Sequence, residues 1–153
     1  MTLRLLFLWL HVIGAAVWVG GMIFLTAILV PYSRTLPPEL KREVFHEVGI
    51  RFRLVAWSAI ALLAATGTGL LWTLPHTWDQ IFQTPFWTVF KVKMVLFTAM
   101  LLASVPHDFV LGPLQRQAGG AGRPQFARLG SWLARLTLLL SLGVLLAAVK
   151  LAR

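Results

Sequence analysis

The sequence has no cysteine, and that absence removes several chemistries at once. A disulfide-stapled secreted domain is excluded, as are thiolate metal sites, Cys-x-x-Cys redox chemistry and c-type haem attachment. Charge is scarce as well. Asp, Glu, Lys and Arg make up 12% of the 153 residues, against roughly 25% in an ordinary soluble domain. No Walker or dinucleotide-binding glycine motif is found, no nucleophile elbow and no internal repeat. What fills the chain instead is apolar: 58% of it before the 12 glycines are counted, with a mean hydropathy of +0.79. That is more apolar surface than one soluble core hides, so disordered and collagen-like classes fall away and a membrane protein is expected. The net charge of +9 does not point to nucleic acid, because the 14 Lys and Arg residues are scattered over connecting segments rather than gathered on one face.

Stretches at about 3–30, 54–74, 86–106 and 131–151 are long and apolar enough to cross a bilayer. The first is uncharged for 26 residues from Leu5 to Val30. A signal peptide's apolar region runs only about 7–15 residues, so a retained helix is expected. The second is uncharged for 21 residues from Leu54 to Leu74. Lys91 and Lys93 near the start of the third, and Arg135 and Lys150 at the ends of the fourth, are placed for snorkelling. The expected fold is all-α: an integral membrane four-helix bundle forming a single domain over 1–153, embedded in the lipid bilayer.

The connections differ in character. Pro37-Pro38-Glu39 reads as a helix start, and Leu40, Val44, Val48 and Phe52 recur every four residues, which predicts a short amphipathic helix on the membrane surface between spans one and two. The segment 75–85 reads as a short turn. Within 107–130, Gly119-Gly120-Ala121-Gly122-Arg123-Pro124 reads as the most flexible stretch. Arg34, Lys41, Arg42, Arg51, Arg53, Arg116, Arg123, Arg128 and Arg135 put nine of the 14 basic residues in or beside the first and third connections. The positive-inside bias then predicts that those connections are cytoplasmic and both termini outside.

Within the spans, the informative residues are the polar and small ones. His11, Gly14, Ala15, Trp18, Gly21 and Met22 share one face of a helix, with the glycines allowing close approach of a neighbour. His11 lies about 12 Å along that helix from Leu3, where an imidazole needs a partner and is a functional candidate. On span three, Lys91 and Lys93 sit about 200° apart around the helix and cannot share a face. Lys93 aligns with Phe97, Met100, Ser104 and His107, which predicts that Lys93 turns inward, whereas Lys91 shares its side with Met94, Val95 and Thr98. Of the four His residues, His11 and His76 belong to the outer half and His46 and His107 to the inner end. Either pair is a candidate for bis-His haem ligation. Glu43-x-x-His46-Glu47, approached by His107-Asp108, is a weaker oxygen and nitrogen metal candidate, and His11 with Met22, Met94 and Met100 resembles the imidazole and thioether set that selects Cu(I).

Three quoted stretches carry a family resemblance. Leu10-His-Val-Ile-Gly-Ala-Ala-Val-Trp-Val-Gly-Gly-Met22, the passage from Arg51-Phe-Arg53 to Ala65-Thr-Gly-Thr-Gly69, and Phe86-Trp-Thr-Val-Phe-Lys-Val-Lys-Met94 resemble the membrane domain of the copper resistance protein D family. The layout is more distantly similar to the HemJ-type protoporphyrinogen oxidases, small four-span proteins with a haem-binding His on the first helix and a Lys on the third, matched here by His11 and Lys93. The first resemblance implies a bacterial cytoplasmic-membrane protein that handles copper with His11 and Met22 or Met94, and dimerisation or a larger membrane complex. The second implies a haem b redox protein with His11 as axial ligand, Trp18 beside it, and Lys93 or Arg53 paired with a propionate. A structural subunit of a respiratory complex is the third reading. Copper and haem b both stay open at this level.

Overall fold

The computed structural model describes residues 2–74, 82, 85–111 and 124–151, and every regular element among them is helical. Helix α1 spans Leu3–Phe24, α2 Pro38–Trp72, α3 Pro85–Val105 and α4 Pro124–Leu151. Three of these helices open on a proline, whose fixed φ suits the first helical position and whose missing N–H would have no partner there anyway. Proline also explains where the helices change pitch. Helix α1 runs on through a π-helical turn at Leu25–Leu29 into a short α turn, Val30–Tyr32, and a 3₁₀ turn, Ser33–Thr35. Pro31 cannot donate to the carbonyl four residues back, and just before it the ladder shifts to the longer bond from the Val30 N–H to the Leu25 carbonyl. The π-helical segment Pro106–Leu111, which continues α3, likewise begins on a proline.

The segments Leu3–Thr35, Pro38–Trp72, Pro85–Val110 and Arg128–Leu151 are each long and apolar enough to cross a membrane, as the hydropathy predicts. Two expectations about the connections are corrected. The separate surface helix is absent among the described residues, because the basic stretch and the second span form one unbroken helix of 35 residues. Between Pro38 and Trp72 no proline interrupts the backbone ladder, and Gly49, the one glycine in the basic stretch, is not enough to end it. Helix also reaches into the third connection from both sides, to Leu111 and from Pro124. The Gly119–Arg123 stretch and most of the expected turn at 75–85, including His76, lie outside the described residues.

The helices pack as two pairs, α1 with α2 and α3 with α4. In the first pair the contacts run antiparallel. Phe7 lies against Gly69, His11 against Gly67, Leu63 against Gly14 and Phe52 against Gly21. The face of α1 that carries His11, Gly14, Ala15, Trp18, Gly21 and Met22 is buried or half-buried throughout. Trp18, Val19 and Met22 form its core with Ala56, Ala59 and Ile60 of α2. Small residues on both helices let the backbones come close, which is how helices associate where lipid removes the usual hydrophobic drive. The second pair is antiparallel too, with Leu96 against Gly143 and Met100 against Ser141. Its buried residues include Met100, Ala103 and Ser104 of α3 and Thr137, Ser141 and Ala147 of α4. Large apolar side chains such as Val95, Leu102, Leu139 and Leu146 face outward, 66–73% exposed, as lipid contact requires.

Candidate functional site

His11 finds its partner 55 residues away, on α2: its Nδ1 lies 2.9 Å from the Thr66 hydroxyl oxygen. The direction of this bond follows from hydrogen counting. Thr66 has one hydroxyl hydrogen and donates it to the Leu62 carbonyl at 2.6 Å. The hydroxyl can therefore only accept from the ring, so Nδ1 carries the proton and, in the neutral imidazole, Nε2 keeps the lone pair. The same arrangement, a ring N–H tied to a fixed acceptor, sets the tautomer and orientation of metal-ligating histidines. Gly67 makes room for it. A Cβ there would stand 3.2 Å from His11 Cε1, a tight contact that would press the ring away from the α2 backbone by a few tenths of an ångström.

The other residues singled out in the sequence lie at several places along the two helix pairs. Trp18 is buried on the same face of α1, about 10 Å further along the axis. Met22 is also buried there, about 16 Å from His11 in axial rise, so the two do not ligate one ion. Arg53 is half-buried on α2, about 20 Å along that helix from Thr66. Met94 and Lys93 belong to the α3–α4 pair. Met94 is 41% exposed. Lys93 is half-buried on the side of α3 that carries Met100 and Ser104, while Lys91 is exposed. His46 is exposed on α2, and the Glu47 beside it accepts a hydrogen bond from Arg51 at 3.4 Å. His107 Nδ1 lies 2.8 Å from Asp108 Oδ1 in the π-helical segment after α3. Among the described residues no three His, Asp or Glu side chains gather as a metal cage.

Two residues of the site escape a reading by helical face. Thr66 and Gly67 are visible in the sequence only as part of Ala65-Thr-Gly-Thr-Gly69, a run of small residues inside an apolar span, and their role depends on which helix they meet.

Four helices long and apolar enough to cross a bilayer, with an imidazole held on an interior face, define a multi-pass membrane protein. The profile of the family described as copper resistance protein D matches residues 46–151, and the chain belongs to that family. The match begins within α2, after the helix that carries His11. An uncharacterised protein of Aquifex aeolicus (strain VF5) is 36% identical over 107 residues, which cover 70% of this chain and 69% of that one. No solved structure matches the chain significantly.

Proposed function

We propose that this protein handles copper within the membrane by presenting Nε2 of His11 to the ion. One observation carries the proposal: the hydrogen-bond chain from His11 to Thr66 to the Leu62 carbonyl, which fixes the tautomer a metal needs. Imidazole is a suitable ligand for copper, and membership of the copper resistance protein D family supports copper as the metal. The fit is of one nitrogen rather than a closed cage, which suits copper as cargo better than copper as a resident structural ion. Of the three thioethers read from the sequence, Met22 is too far along α1 to share the ion with His11 and Met100 is buried against Ser141, so Met94 is the one whose replacement tests a sulfur contribution. In this reading the membrane is the bacterial inner membrane, with the Arg34–Arg53 connection on the cytoplasmic side and His11 in the outer half.

The test is copper retention after dialysis of the purified protein, read together with its optical spectrum. His11→Ala is expected to abolish retention, and Thr66→Val to weaken it about 10–100-fold, the usual cost of removing a ligand's hydrogen-bond partner. His46→Ala should leave it unchanged. A Soret band without bound copper would assign the same nitrogen to haem b, and copper retained at full strength by His11→Ala would remove the site.

A further inference from the structure

Five of the described hydroxyls in these helices return a bond to their own backbone. Thr26, Thr66, Thr68, Ser104 and Ser141 each donate to the backbone carbonyl four residues back, at 2.6–2.9 Å. Thr137 on α4 does not. It is 3% exposed, and its Oγ1 has no hydrogen-bond partner. Inside a membrane protein an unpaired hydroxyl is costly, because lipid supplies no replacement partner, and the return bond to its own helix was within reach of a side-chain rotation.

The surroundings of Thr137 are polar. Met100 and Ser141 touch across the α3–α4 pair, with Ser141 Oγ 3.2 Å from Met100 Sδ. One turn along each antiparallel helix from that contact stand Ser104 and Thr137, both 3% exposed, so they occupy one buried layer. Ser104 and Ser141 have spent their hydroxyl hydrogens on the carbonyls of Met100 and Thr137, and each oxygen keeps lone pairs able to accept. The layer thus has one hydroxyl hydrogen without an acceptor, on Thr137, beside hydroxyl oxygens that are able to accept. A bare cation would use only the lone pairs and leave the Thr137 hydrogen unpaired. It would also lack a counter-charge, since none of the buried polar residues described is a carboxylate.

We propose that Thr137, Ser104 and Ser141 bind a water molecule between α3 and α4. The water accepts from the Thr137 hydroxyl and donates to the serine oxygens, which gives it the two to four polar partners that buried waters require. This hydration site is independent of the copper reading, because none of its residues belongs to the His11 site.

The full chain in detergent micelles, studied by NMR, provides the test. Magnetisation transfer from water to the hydroxyl or amide protons of Ser104, Thr137 and Ser141 is expected in the wild type, to persist in Thr137→Ser and to be lost in Thr137→Val. Thr137→Val is also expected to lower Tm by about 2–6 °C, the effect of removing one bridging interaction from a protein of this size. A wild type with no water contact at these protons overturns the proposal. So does a Val variant that is more stable than the parent, since deleting an unpaired hydroxyl from a dry layer is a gain. Should Thr137→Val fail to fold, Ser104→Ala replaces it: loss of the water contact at Thr137 supports the bridge, and an undisturbed contact overturns it.

Discussion

Adjacent glycines on α1 show how much a single hydrogen atom in place of a methyl can decide. A Cβ at Gly21 would run into the Phe52 ring, with Cζ only 2.9 Å away, whereas a Cβ at Gly20 would meet nothing within 4 Å. Gly20→Ala should therefore stabilise the protein by about 0.5–1 kcal/mol, through helix propensity alone. Gly21→Ala should destabilise it, because the rigid ring must move away from the α1–α2 contact. Thermal unfolding of the two variants in the same detergent checks the sign of each. The helical period placed Gly21 with His11 and left Gly20 off that face, so this difference was legible in the sequence. Thr66 was not, since a hydroxyl in an apolar span that bonds its own carbonyl has the same sequence signature whether or not an imidazole also reaches it.

At the scale of elements, the basic stretch after Pro38 was read correctly as helix and wrongly as a separate one. Its charges show that residues 38–53 avoid hydrocarbon, but charge has no bearing on whether the axis bends at the membrane surface. That is decided by backbone breakers, and within the basic stretch beyond Pro38, up to Arg53, the only candidate is a glycine at position 49. The lack of native cysteine makes the continuity simple to measure. Spin labels at Lys41→Cys and Ala61→Cys, both exposed positions, should give one narrow distance near 30 Å, about 20 residues of helical rise. A broad or much shorter distribution would mean that the two halves are hinged. The π-helical turns were missed for a different reason. Pro31 and Pro106 each announce a disturbed helix, and the sequence does not say whether the chain will break, kink or, as here, widen and continue.

Across the whole molecule, orientation follows from where the basic residues lie, and α2 supplies a test from its two ends. Glu39→Cys should react with a membrane-impermeant thiol reagent only from the cytoplasmic side, and Thr73→Cys only from the opposite side. Reversed labelling would exchange the inner and outer surfaces and put His11 near the cytoplasm. The four spans were legible because long uncharged runs have few other physical homes, while the pairing of the helices depended on contacts between small residues far apart in the chain. One of those pairings bears on the bilayer itself. The contacts from Phe7–Gly69 to Phe52–Gly21 lock α1 and α2 in a single register, yet their uncharged runs of 26 and 21 residues correspond to about 39 and 31 Å of helix. The register aligns the two runs at the Leu5 end, so all of the excess collects beyond Phe24, where Leu25–Val30 of α1 lies beside the charged residues of α2. A rigid pair cannot slide to share that mismatch. It meets the membrane with a hydrophobic belt that is wider on one flank than on the other, and a bilayer of uniform thickness satisfies both flanks only if the pair tilts or the lipid around it deforms.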